Sequence, residues 1–201
     1  MAEKNYRAST SVEEFYYAVL DGTDTVTGAP ERVKFLQNIS IEMPQDIVRA
    51  YGDGVTAEMA VSNGDISVTS AFHKIPMEDR AALFGLEKTE SGLYSYGSTD
   101  NPPYVACVFA KTREDGSKEW VGLPKGMFMR PNISGATKTE GVEFTSDEVT
   151  AQFMDREVAG FNEEKSVIFG EDSKGTSVAR DAIFTAIFGT AYPGTSIPEG
   201  V

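Results

Sequence analysis

Residue types that perform chemistry are sparse in this chain. There is one histidine, His73, and one cysteine, Cys107. His73 follows the alternating run Ile66, Val68, Ser70, Phe72 and sits beside Lys74, on the face opposite the apolar residues. That placement reads as a solvent-facing structural histidine. A hydrolase built around His73 would need an activated serine, and the sequence has no nucleophile-elbow pattern to supply one. Carboxylates are plentiful, but none is isolated in an apolar run where burial would raise its pKa. Glu143 and Asp147 alternate with apolar residues and read as solvated. The glycines fall in turns, and no phosphate-cradling loop leads into a helix. Cys107 lies in the most apolar segment and reads as a buried, inert thiol. With one cysteine and no His/Cys cluster, neither an internal disulfide nor a metal site is expected. The chemistry points to no catalytic residues, no metal and no cofactor.

Composition narrows the classes further. The 201 residues are 40% hydrophobic and 24% charged, which suits one soluble domain able to bury a core without staples. The formal charge is −13 and the sequence pI about 4.5. A nucleic-acid-binding surface needs clustered Lys and Arg to displace counterions, so that class is disfavoured. A surface that passes close to DNA without holding it remains compatible. No apolar run reaches the ~20 residues of a membrane helix, and the first residues lack the apolar stretch of a signal peptide. Synthesis and retention in the cytoplasm are expected.

The elements that position these residues are organised around residues 101–156. Residues 104–110 form a run that is apolar on both faces, so this strand should be covered on both sides. The turn Glu114-Asp115-Gly116-Ser117 returns the chain as a hairpin through Trp120 to residue 130. A polar loop at 131–141 precedes a third strand at 142–153. There Val149, Ala151 and Phe153 share a face and Glu148, Thr150 and Gln152 take the other, which predicts cover on one side only.

Upstream, residues 1–10 read as a polar arm. Residues 14–20 read as a strand with Phe15, Tyr17 and Val19 together, closed by a turn at 21–24. Residues 32–42 alternate, with Val33, Phe35, Ile39 and Ile41 on one face, until Pro44 stops them. Residues 45–51 give no clear pattern. Gly52-Asp53-Gly54 is a turn, Val55, Ala57, Met59 and Val61 alternate, and Ser62-Asn63-Gly64-Asp65 is a second hairpin turn. Met77, Arg80, Ala81 and Phe84 share a helical stripe between Pro76 and Gly85. A short strand at 92–96 leads into the central hairpin. Downstream, residues 166–169 are strand or loop, and 172–175 a loop. Residues 177–188 read as a helix whose stripe Ala179, Ala182, Ile183, Ala186 and Ile187 is widened by Phe184 and Phe188. Ser177 should cap its start and Gly189 its end. Residues 190–201 read as a loose tail.

The hairpin, the run Trp120-Val121-Gly122-Leu123-Pro124-Lys125-Gly126, the polar loop and the strand at 142–153 resemble the major tail protein, or tail tube protein, of long-tailed bacteriophages. The likeness extends upstream to the run from Phe72 to Gly85, where the family holds a strand end and a short helix closed by glycine, and covers residues 12–192 as a pattern of short segments. It implies a mainly β fold: a β-sandwich or partly closed barrel of antiparallel strands, with one short helix after the early strands and one C-terminal helix. Residues 1–201 would be a single tail-tube domain. It also implies a structural virion protein that self-assembles into hexameric rings. These stack into a hollow tube around a tape measure protein, with tail terminator and baseplate or distal tail proteins as further partners. Double-stranded DNA would pass through without specific binding.

Within that reading, Glu58 and Glu148 are candidate lumen-facing acids, because each lies opposite apolar neighbours. Gly52, Asp53 and Gly54, and Pro131, Asn132 and Gly135, are candidate inter-subunit loops. The alternative is a small-molecule-binding β-barrel module with a cavity lined by Tyr94, Tyr96, Tyr104 and Trp120.

Overall fold

The computed structural model describes residues 6–133 and 145–194. In chain order the elements are β1 (Ser9–Leu20), β2 (Val26–Val33), β3 (Leu36–Glu42), β4 (Gln45–Gly52), β5 (Val55–Asn63), β6 (Ile66–Phe72), α1 (Met77–Phe84), β7 (Glu87–Lys88), β8 (Tyr94–Ser95), β9 (Val105–Arg113), β10 (Lys118–Phe128), β11 (Asp147–Met154), β12 (Ile168–Asp172) and α2 (Val178–Phe188). Eight strands make one antiparallel sheet in the order β2-β1-β9-β10-β11-β6-β3, with β12 pairing the first half of β10. β4 pairs only with β5, and β7 only with β8. The fold is therefore mainly β with one short and one C-terminal helix, as the sequence suggests.

The central strand β9 explains the layering. Val105, Cys107 and Phe109 point into a core shared with Phe15, Phe72, Phe128, Val149 and Phe153. These come from both ends of the strand order, so the sheet curls around its own concave face. No ladder joins β2 to β3, and the barrel stays partly open. Ala106, Val108 and Ala110 point the opposite way, under α2, whose Ile183, Phe184, Ile187 and Phe188 are all buried. Each such side chain contributes about 1.5–3 kcal/mol relative to exposure. α2 lies close on the sheet because glycine faces it twice. A Cβ at Gly122 would sit 2.9 Å from Ile187, and one at Gly170 would sit 2.9 Å from Ile183.

The chain departs from the alternating pattern at Phe35. Residues 32–42 do not form one strand. Phe35 adopts φ 64°, the left-handed region, and the chain turns a corner there between β2 and β3. Val33 is buried but Phe35 is 71% exposed, so the two do not share a face. Two further boundaries shift. Ser9 and Thr10 belong to β1, where Ser9 pairs with Arg113, and not to an arm. Tyr192, expected in a loose tail, packs edge-on against Phe184 and donates a 3.0 Å hydrogen bond to Glu14. Residues 142–144 and Gly135 lie outside the described residues.

Candidate assembly surfaces

The segment without a clear pattern, residues 45–51, is the first half of a two-stranded ribbon. β4 and β5 pair from Gln45↔Asn63 to Gly52↔Val55, and every residue of both is exposed. Asp53 and Gly54 both take positive φ, 50° and 80°, as a two-residue turn matching the strand twist requires. Nineteen large apolar side chains are exposed among the described residues, and seven of them fall between Met43 and Val61. They occupy both faces. The pairs Ile47↔Val61 and Arg49↔Met59 lie on one, Val48↔Ala60 and Ala50↔Glu58 on the other. An isolated hairpin is at best marginally stable in water, and apolar groups on both its faces make a free ribbon less favourable still. Glu58 belongs to this ribbon.

A second surface is distinguished by what does not cover it. α2 lies over the outer face of β9, β10 and β12. Among the described residues no helix packs on the outer face of β11, β6 and β3. Three cross-strand ladders run over it: Glu148–Ala71–Asn38, Thr150–Thr69–Ser40 and Gln152–Ser67–Glu42. The alternation is clean, since Val149, Ala151, Val68, Ser70 and Phe72 on the reverse side are buried. Glu148 and Glu42 sit at opposite corners of this face, and none of its nine positions is Lys or Arg. Glu148 and Glu58 are thus on different sheets.

Between β11 and α1 lies an open groove of about 670 Å³, lined by Lys74, Arg80, Arg130, Pro131, Asn132 and Asp147 among others. Asp147 is not solvated as its alternation suggests. Its Oδ2 accepts the Ile75 N–H at 2.9 Å and Arg80 at 2.7 Å. Burial pulls its pKa upward, but the Ile75 amide and Arg80 outweigh that and hold the carboxyl below its usual range. The contact anchors the start of α1 to β11. Arg130 donates to the carbonyls of Gly97 and Asp100 at 2.8 and 2.7 Å, and lies over the Tyr96 ring. Pro131 and Asn132 follow directly at the groove's rim.

The residues whose types perform chemistry are dispersed. His73 is exposed and meets Phe35 edge-on, and its backbone N–H donates to the Phe35 carbonyl. Cys107 is fully buried, and burial pushes its thiol pKa up. The four aromatics of the barrel alternative each pack on a different partner. Trp120 is buried under α2, Tyr104 packs on Lys125, Tyr94 on Lys88 and Tyr96 on Arg130. No group of three or more His, Cys, Asp or Glu able to hold a metal occurs among the described residues.

Several polar contacts were not visible in sequence. Asp172, expected in a loop, is buried and caps α2: its two oxygens each accept at 2.9 Å, from the N–H groups of Ala179 and Arg180. Ser177, the expected cap, makes no capping bond. At the other end of α2, buried Arg156 donates to the Ile187 carbonyl at 2.7 Å.

A ribbon with no partner of its own and a bare sheet face describe a subunit better than a finished monomer. The model of the phage tail tube protein family matches residues 37–194, from within β3, through the exposed ribbon, to beyond α2. The chain belongs to the phage tail tube protein family. It is accordingly a structural component of a phage tail, part of the virion, and not an enzyme. Among solved structures, the tail tube chain is similar to one from a cryo-EM sheath–tube complex of the extracellular contractile injection system PVC in its extended state. The TM-score is 0.40 and the identity 12%, over 80% of this chain and 90% of that one. Likeness at that level decides nothing about fold or function. No curated protein matches the tail tube chain at a significant level.

Proposed function

We propose that this tail tube protein assembles into hexameric rings that stack into a hollow tube, and that the β4–β5 ribbon bridges one ring to the next. The ribbon carries the reading. It exposes six large apolar side chains, Ile47, Val48, Tyr51, Val55, Met59 and Val61, the kind of contiguous apolar surface that marks a protein–protein contact. A second copy of the chain is the partner that a self-stacking tube supplies. The turn Gly52-Asp53-Gly54 leads the ribbon into that contact, and Glu58 goes with it. Pro131 and Asn132 belong to a further contact around the ring.

The tube would enclose a tape measure protein during growth, be closed by tail terminator and baseplate or distal tail proteins, and later conduct double-stranded DNA. Assembly would occur in the cytoplasm of the host bacterium, with no membrane contact.

The test is a ribbon variant, Ile47→Ser with Met59→Ser and Val61→Ser, set beside the parent in concentrated solution. The parent should give tubes in negatively stained micrographs. The variant should melt like the parent, since exposed substitutions rarely move stability by more than about 0.5 kcal/mol each, yet form no stacked tubes. Normal tubes from the variant would refute the bridging role.

A further inference from the structure

We propose that the uncovered face of β3, β6 and β11 is the inner wall of the tube, and that it passes DNA by presenting neutral hydroxyl and carboxamide groups instead of a continuous acidic lining. The inference rests on the tube reading above and adds which face points inward and by what chemistry.

Three observations on the face carry it. First, six of its nine side chains are short, and the longer Glu148, Gln152 and Glu42 stand at corners. The central ladder Thr150–Thr69–Ser40 is three hydroxyl residues, and the flanking ladders add Gln152, Ser67, Asn38 and Ala71. Such a wall is flat and keeps its groups close to the backbone. Second, it holds no cation, although the chain has 18 Lys and Arg. Retaining a polyanion requires cations that displace condensed counterions, and here these stand at the rim, where Lys74, Arg80 and Arg130 line the groove that Glu148 and Thr150 also border. It also holds no aromatic ring on which a base could stack. Third, the backbone of β6 is paired on both sides, to β11 and to β3. In the middle of the face the N–H groups that could bind phosphate are already used.

The acids are marginal to this wall. Glu148 and Glu42 occupy opposite corners, and Glu58 is on the ribbon. At physiological salt their repulsion decays over ~8 Å, about the distance from either corner to Thr69, so it adds to the lack of binding groups at the centre of the face.

The experiment uses the protein's own silent thiol. Cys107 is fully buried, so a cysteine placed by Thr69→Cys is the reactive one. Free subunits and assembled tubes are each treated with a small maleimide and with a polyethylene-glycol maleimide too bulky to enter a tube. Free subunits should react with both reagents. Tubes should keep reaction with the small reagent and lose it with the bulky one.

Equal bulky labelling of tubes would put the face on the outside and overturn the proposal. Loss of both reactions in tubes would put it in a contact between copies and overturn it too. Ser40→Cys is the second variant: if the parent makes tubes and neither cysteine variant does, the face is packed and the proposal falls. A parent that forms no tubes would instead remove the tube reading itself, so the two failures are distinguishable.

Discussion

The phenol of Tyr17 donates a 2.9 Å hydrogen bond to Oδ1 of Asp79, joining the core strand β1 to α1. Oε2 of Glu31, on β2, lies 3.2 Å from the same phenol oxygen of Tyr17. Burial first, and then the two carboxylates, push the Tyr17 pKa far upward, so the phenol remains a donor. It has one proton for two acceptors. The group of three is fully satisfied only when a carboxyl also carries a proton.

Asp79 is the one that should carry it. Burial is the largest cause of its raised pKa; the Tyr17 bond opposes, and Glu31 and Glu78 add to the rise. A raised folded pKa stabilises the fold below the unfolded value, and that contribution is lost as pH rises through the folded value. This group therefore adds stability as pH falls from neutral toward the ordinary aspartate range. Asp79→Asn fixes the neutral form and should melt a few degrees higher than the parent at neutral pH, with the advantage fading on acidification. An Asn variant whose melting profile parallels the parent's at every pH would remove this account.

Asp147 should behave with the opposite sign. Its pKa is held down, so its contribution is present above the unfolded aspartate value and lost as pH falls through the folded one. Asp147→Asn should cost about 1.5–3 kcal/mol at neutral pH through the weakened bonds to Ile75 and Arg80. Denaturant melts at neutral and strongly acidic pH should show the gap closing.

Two glycines of β10 should resist substitution for different reasons. A Cβ at Gly126 would stand 2.4 Å from the Phe153 ring, and one at Gly122 would stand 2.9 Å from Ile187. Gly126→Ala must displace a core ring and should cost about 1–3 kcal/mol or more. Gly122→Ala should cost less, because an isoleucine side chain on α2 can give. Equal thermal stability of both variants and the parent would show that these approaches are looser than the distances imply.

The helix α2 should depend on its stripe and its cap separately. Ile183→Asp or Ile187→Asp buries an unpaired charge and should cost several kcal/mol. Asp172→Ala leaves the stripe intact and should cost about 0.5–2 kcal/mol through the two lost amide bonds. Far-ultraviolet melts of the three proteins would rank them in that order.

The sequence shows its elements wherever the pattern is local. The double-sided apolar run of β9 predicts its two cores, the alternation of β11 predicts its one covered face, and the stripe of α2 predicts a buried helix. What stays hidden depends on a distant partner. Alternation in β5 looks like that of a half-buried strand, because a sequence shows which residues share a face and not whether anything covers it. Asp147 reads as solvated because Ile75 is 72 residues away. Phe35 reads as a strand residue because nothing in its type announces a left-handed corner. The bare sheet face is half visible: Glu148, Thr150 and Gln152 share a face by alternation, but their partners on β6 and β3 appear only once register is known.

One break in the strands has a mechanical meaning. β3 and β6 continue into β4 and β5, but the ladder stops at Glu42↔Ser67 and resumes at Gln45↔Asn63, so Met43 and Pro44 oppose three residues. Across the break only the Gly64 N–H reaches the Pro44 carbonyl, and proline itself donates nothing. The long ribbon thus has a compliant joint between two stiff segments. In a tube linked through such ribbons, curvature would gather at these joints and leave each ring round, so the bore would hold its width while the tail flexes.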